Sequence, residues 1–167
     1  MITPDHARLF ARYNRWQNKS LYESAGTLTE AQRKEQRGAF FGSIHATLNH
    51  LLWADQIWMS RLASLPPPAA ASIKESLAQY GGWPELEAAR ARFDEVIRNW
   101  SDGLRSEDLE GDLTWFSGAA GRELTRPRWQ LVVHLFNHQT HHRGQVHCLL
   151  TQFGAKPEAT DIAFMPE

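Results

Sequence analysis

The sequence predicts an all-α protein built as a four-helix bundle, and three observations support this fold class. Apolar side chains recur at helical spacing over four stretches, which begin near Pro4, Ser43, Pro84 and Pro127. Residues that commonly begin and end helices stand at the boundaries of these stretches. The connections between the stretches are short or moderate, which favours a bundle in which neighbouring helices pack on one another.

The first two helical stretches have clear boundaries. Thr3 precedes Pro4, which is the arrangement of an N-cap followed by proline at the first helical position, and Gly26 ends the periodic pattern. Ser43 caps the second stretch, whose leucines form an apolar stripe. The prolines of residues 66–68 end it, because they cannot donate backbone hydrogen bonds.

The third and fourth stretches begin at prolines and enclose a segment of different character. Pro84 begins the third helix, and Pro127 begins the last and longest, which Gly154 closes. Between them, residues 112–116 and 122–125 are short β-prone runs on either side of a loop that contains glycine. They predict a small β-hairpin before the last helix.

The length and composition of the chain predict one globular domain over residues 1–167. Hydrophobic residues make up 42% of the chain and charged residues 22%, both ordinary for a globular protein. The formal net charge of -1 provides no electrostatic footprint for nucleic acid or an anionic membrane. No run approaches the roughly 20 apolar residues of a membrane span. We therefore expect a small-molecule substrate and neither nucleic acid nor membrane as a partner.

Two features predict a cytoplasmic location. Asp5, Arg8 and Arg12 stand where a secretory signal would need an apolar core. The single cysteine, Cys148, excludes an internal disulfide and is compatible with a reducing compartment. Its apolar neighbours predict that the thiol packs in the core.

Histidines are concentrated in residues 134–145, with the sequence H-L-F-N-H-Q-T-H-H-R-G-Q. On a helix, one metal ion can be shared by His134 with His138, by His138 with His142, or by His138 with His141. His134 and His142 cannot share an ion, because about 12 Å of helix separates them. His138 occurs in every possible pair and is therefore the best-supported ligand.

A third ligand can come from the second helix, which carries His45 and His50. Their side chains point about 140° apart, so at most one of them joins the site. Gly144 follows the histidines inside the predicted last helix, where glycine costs roughly 1 kcal/mol relative to alanine. Such a residue predicts close approach of another helix or of a ligand.

Three sequence blocks resemble those of the DinB/YfiT-like metal-binding four-helix bundles. They are residues 13–18 (Y-N-R-W-Q-N), residues 47–55 (T-L-N-H-L-L-W-A-D) with Trp58 and Arg61, and residues 137–145 (N-H-Q-T-H-H-R-G-Q). The blocks occur in the expected order over most of the chain. The resemblance implies an up-down-down-up bundle that often forms a homodimer.

The resemblance also implies which histidines bind the metal: His50, His138 and His142. It assigns no ligand role to the others, which we expect to face solvent or to form supporting hydrogen bonds: His6, His45, His134, His141 and His147. Three imidazoles leave a position open for water, substrate or a thiol, whereas a closed structural site uses four protein ligands. Both zinc and nickel accept imidazole. We further expect Asp55 to form a salt bridge or a helix contact, with Arg143 or Arg61 as the candidate partner.

Relatives in this superfamily include S-transferases and isomerases that use the thiols bacillithiol or mycothiol. The resemblance therefore implies a metal-dependent transferase in which a low-molecular-weight thiol attacks a small electrophile. A metal-dependent hydrolase of a small substrate ranks second, because no glutamate accompanies the histidines to act as a base. The non-enzymatic alternative is a stress protein that binds a metal or another ligand and does not catalyse a reaction.

Overall fold

The computed structural model describes residues 2–166 and shows the predicted all-α architecture with a small hairpin. The four long helices are α1 (Pro4–Gly26), α3 (Ile44–Leu62), α5 (Trp83–Gly103) and α6 (Arg128–Gln152), and the two short ones are α2 (Glu30–Lys34) and α4 (Ile73–Ser76). Strands β1 (Asp112–Ser117) and β2 (Arg122–Pro127) pair antiparallel directly before α6. Single-turn 3-10 helices lie at Ser106–Leu109 and Ile162–Phe164. Within residues 2–166, none of the helices is long and apolar enough to cross a membrane.

The local signals in the sequence place the helix starts to within one residue, whereas α3 ends at Leu62, before the prolines of residues 66–68. The Thr3 hydroxyl accepts a hydrogen bond from the His6 amide at the start of α1, and the Ser43 hydroxyl accepts one from the Ala46 amide at the start of α3. Each cap satisfies an amide that has no partner within its helix. Pro127 ends β2, and α6 begins one residue after it.

Two apolar clusters define how the long helices run. One cluster joins the second halves of α1 and α6 to the first halves of α3 and α5: Leu21, Tyr22, Ala25, Leu28, Ile44, Leu48, Leu51, Leu52, Leu86, Ala89, Val146, Leu149 and Leu150. The other joins the opposite halves, with contributions from the segment before β1: Ala7, Ala11, Met59, Leu62, Ile97, Leu104, Leu109, Leu131, Val132, Leu135 and Phe136. Helices α1 and α6 therefore run parallel to each other and antiparallel to α3 and α5, which is the up-down-down-up arrangement.

A buried polar layer separates the two apolar clusters. The Arg90 guanidinium of α5 lies 2.7 Å from the Asp55 carboxylate of α3 and 2.9 Å from the Asp94 carboxylate. The expectation that Asp55 pairs with Arg143 or Arg61 is therefore wrong. Asp55 is five residues beyond His50, so the two side chains point to different sides of α3. The side chain of Asp55 is buried in the bundle interior, where α5 supplies the cation.

The same layer connects α3 to α6 and α6 to α1. Asp55 accepts a hydrogen bond from the Gln139 amide of α6. The Gln139 carbonyl accepts one from Arg143 at 3.1 Å, and Arg143 also donates to the Asn14 side chain at 2.7 Å. These bonds fix the relative positions of α3 and α6, because a buried polar group that loses its partner carries a large desolvation penalty.

The outer face of α6 differs from two expectations. Gly144 is exposed, and a Cβ atom at this position would meet nothing within 4 Å, so the predicted close approach of another helix of this chain is wrong. Cys148 is exposed as well, so the prediction that it packs in the core is also wrong. The two residues are one helical turn apart on the face opposite Val146 and Leu150, which are buried.

Candidate metal centre

Three histidines from α3 and α6 meet at one place: His50, His138 and His142. One ring nitrogen from each lies within 4.8 Å of those of the other two. The ring centroids of His138 and His142 are 4.5 Å apart, and that of His50 is 5.4 and 5.1 Å from them. Tetrahedral coordination with usual zinc–nitrogen bonds requires nitrogens roughly 3.4 Å apart. The nitrogens lie within a limit somewhat wider than this, so binding an ion would draw the three imidazoles together.

The environment of the site keeps these imidazoles neutral. His50 is 4% exposed and His142 is 7% exposed. Burial, and to a lesser extent the neighbouring imidazoles, lowers the pKa of His50 to about 4 and that of His138 to about 3. Burial also lowers the pKa of His142. A metal ion binds the neutral imidazole, so no proton has to be displaced from these rings at neutral pH.

Two polar side chains orient the ligand rings. Ser76, at the end of α4, donates its hydroxyl proton to the Ile73 carbonyl at 2.6 Å. Its oxygen, 3.2 Å from Nδ1 of His50, is therefore left to accept a hydrogen bond from this ring. This arrangement protonates Nδ1 and leaves the Nε2 lone pair of His50 free for a metal, as hydrogen bonds around metal ligands commonly do.

Gln145 acts in the same way on the second helix of the site. Its carbonyl oxygen lies 2.8 Å from Nδ1 of His142, and its amide nitrogen lies 3.3 Å from Nε2 of His141. Because the amide can donate only through nitrogen, its oxygen accepts from His142. The Nε2 lone pair of His142 is then free for the metal as well.

Aromatic side chains cover part of the site. The Phe41 ring is 4.1 Å from the ring of His50 and 5.2 Å from that of His142, measured between centroids. Trp53 lies 5.7 Å from His50. Gly42, at a φ of 80°, allows the turn that carries Phe41, since this conformation is unfavourable for a residue with a Cβ atom. These rings limit the access of water to one side of the imidazoles.

The remaining histidines lie outside the cluster. His134 is exposed and makes an edge-to-face contact with Trp58, and His141 is exposed and accepts from Gln145. His45 is buried and bonds the Tyr80 carbonyl through Nε2 at 3.0 Å. His6 lies against Phe10 on α1, and His147 is half-buried on α6.

Sequence reasoning had not assigned the neighbours that hold or cover the three rings. Gln145 stood in the motif without a role, although its position three residues after His142 is a usable signal, since residues at this spacing meet on a helix. Ser76 is 26 residues from His50 along the chain, and Phe41 lies in a loop. No local pattern connects either of them to the site.

The donor set can hold a divalent metal ion. Three neutral imidazoles from two packed helices provide three of the ligands that zinc or nickel requires. Within residues 2–166, no carboxylate or thiolate joins this group of potential ligands. A bound ion would therefore retain at least one position for a molecule from outside the protein.

Comparison with known proteins identifies the family of the chain. The chain is similar to the protein named Protein DinB of Bacillus subtilis (strain 168), with 25% identity over 158 residues that cover 94% of this chain and 91% of that protein. The model of the DinB family matches residues 1–167, so the match includes all three histidines. Because this match extends over the whole chain, the protein belongs to the DinB family.

Proposed function

We propose that the protein is a metal-dependent S-transferase that joins a low-molecular-weight thiol to small electrophiles. The observation that carries the proposal is a cluster of three neutral histidines that leaves a coordination position open. When bound, a divalent cation at such a site lowers the pKa of a thiol and so provides a nucleophile at neutral pH.

The chain's own residues have three tasks in this reaction. His50, His138 and His142 hold the ion, while Ser76 and Gln145 keep the ligand nitrogens directed at it. The aromatic rings beside the histidines exclude water and provide apolar surface for the electrophile. In the transfer, a bond forms between the sulfur and the electrophilic carbon. The leaving group departs with its electron pair, and the thiol proton passes to solvent.

Hydrolysis of a small substrate by activated water ranks second. A general base near the ion would favour this reaction. Among residues 2–166, no carboxylate joins the group of potential metal ligands, and the three imidazoles of this group would be committed to the ion. We therefore rank the transferase ahead of the hydrolase.

The proposal is tested by measuring conjugation of 1-chloro-2,4-dinitrobenzene with a panel of thiols, using protein loaded with zinc or nickel. We expect conjugation above the uncatalysed rate that depends on the metal and is lost in His138→Ala. The control, His147→Ala, removes a histidine from the same helix outside the cluster and should retain the activity. Absence of metal-dependent conjugation with every thiol would contradict the transferase. Saturable hydrolysis without thiol would support the hydrolase instead.

We also propose that the protein is a homodimer. Two large aromatic side chains support this, since Phe40 is 79% exposed and Phe116 is 64% exposed. All three histidines belong to one chain, so each subunit would hold a complete site. Sedimentation equilibrium should give twice the chain mass at micromolar concentration, and a monomer mass would contradict the proposal.

A further inference from the structure

Arg61, near the end of α3, is a half-buried cation without an anionic partner. Within residues 2–166, none of the ion pairs includes its guanidinium. Burial lowers the pKa of Arg61, and no carboxylate opposes this shift. A cation partly removed from water with nothing to balance it is costly, so its surroundings need an explanation.

The other arginines that are buried show how this chain normally satisfies such a group. Arg90 pairs with two carboxylates, and Arg143 donates to the side chains of Asn14 and Gln139. Arg33 donates to backbone carbonyls. Each of the three also lies over an aromatic ring, as Arg61 does. Arg61 differs because, within residues 2–166, none of the hydrogen bonds and ion pairs includes its guanidinium.

Two tryptophans from different elements surround the Arg61 guanidinium. Its central carbon lies 4.8 Å from the ring centroid of Trp58 on α3 and 5.7 Å from that of Trp115 on β1. The two indole rings are 5.4 Å apart and nearly perpendicular, at 69°. Cation–π contacts attract the charge and hold the guanidinium plane in place, but they leave its N–H donors free for an acceptor.

A row of aromatic rings connects this cation to the metal centre. The Trp58 ring is 4.8 Å from His134, and His134 is 5.7 Å from His138. Along α3, the Cα atoms of Arg61 and His50 are separated by about 16 Å. Both side chains tilt toward the N-terminus of α3, and the longer arginine side chain reaches further in that direction, toward the histidines. A ligand that reaches both ends must therefore be elongated.

The charge of Arg61 determines which chemical group of a ligand can bind beside it. Arg61 carries one positive charge, and its planar fork matches the two oxygens of a carboxylate. A doubly charged phosphate would leave an unbalanced negative charge between two half-buried indoles. We propose that Arg61 binds the carboxylate of an elongated thiol whose sulfur lies at the three histidines. This inference rests on the proposed function and identifies the class of thiol that the site prefers.

The test is a set of binding titrations on the metal-loaded protein by calorimetry. Its ligands are pairs of ω-mercaptoalkanoates and ω-mercaptoalkanols of equal and increasing chain length. We expect wild type to prefer the acid over the alcohol only above a certain chain length. Arg61→Gln should weaken binding of the long acid about tenfold or more and leave binding of the alcohol unchanged, because a charge-assisted hydrogen bond is lost. Arg61→Lys, which keeps the charge, should restore part of the preference.

The control is Arg92→Gln, which removes the same charge from an exposed position on α5. Equal losses in Arg61→Gln and Arg92→Gln would show a general effect of charge and overturn the role of Arg61. Equal binding of acid and alcohol to wild type at every length would also overturn it, while the proposed function would stand. If no thiol binds to the metal-loaded protein, the proposed function itself fails.

Discussion

Gln145 contributes to the metal centre through the imidazole that it orients. Replacing it with leucine removes the acceptor of the His142 Nδ1–H and allows the ring to adopt the wrong tautomer. We predict that Gln145→Leu lowers metal affinity by roughly 10- to 100-fold, as measured by competition with a chelator. Gln130→Leu, an exposed change on the same helix, is the matched control. Equal affinities of Gln145→Leu and wild type would show that this hydrogen bond has no role in binding.

His50 and His138 should make the stability of the metal-free protein depend on pH. Their folded-state pKa values of about 4 and about 3 lie below the unfolded value of about 6.5. As pH falls, the unfolded chain therefore takes up protons before the folded chain does. The free energy of unfolding thus has its full value above pH ~6.5 and declines below it.

Urea unfolding of the metal-free protein at neutral and at mildly acidic pH measures this decline. We predict that it is smaller in a His50→Gln, His138→Gln double variant, which keeps the other histidines and thus isolates these two. The same decline in both proteins would mean that the two imidazoles titrate normally in the folded state.

Local sequence predicts part of the site, and long-range packing determines the rest. The spacing of His138 and His142 restricts a shared ion to neighbouring turns of α6. Helix geometry left His45 and His50 as alternatives, because the choice depends on the rotation of α3 against α6. In the structure His50 faces the cluster and His45 bonds Tyr80. The role of the cluster as a metal site remains a prediction.

Removing Arg90, which pairs with Asp55 on α3 and with Asp94 on its own helix, should destabilise the bundle strongly. Arg90→Met would leave the carboxylates of Asp55 and Asp94 buried without their cation. We predict a loss of about 3–5 kcal/mol in the free energy of unfolding, measured by urea denaturation. The control is Arg98→Met on the same helix, whose carboxylate partners are solvent-accessible, and it should have a much smaller effect. Equal losses would contradict a special role for the buried layer.

At the scale of whole elements, helix starts were predictable because N-caps act within a few residues. No helix within residues 2–166 approaches Gly144, and its unfavourable helix propensity does not reveal which face of α6 meets solvent. Local reasoning also missed the partner of Asp55, because the cation comes from α5, 35 residues away in sequence. Partners of this kind depend on the packing of complete helices.

The three histidines lie on α3 and α6, and the packing of the bundle fixes the relative position of these two helices without a metal ion. The bond between Asp55 and Gln139 joins α3 to α6 next to the cluster, and the apolar clusters set the direction of both helices. An ion bound by His50, His138 and His142 would bind the folded chain and not the unfolded one. It should therefore raise the melting temperature in proportion to its affinity and concentration.

The central claim is that these three histidines form one metal site, and metal content per chain tests it most directly. Wild type, His138→Ala and the control His147→Ala are reconstituted with zinc and nickel, freed of excess ion and measured by elemental analysis. We predict about one ion per chain in wild type and in His147→Ala, and a large loss in His138→Ala. The same substoichiometric content in wild type and His138→Ala would contradict the claim.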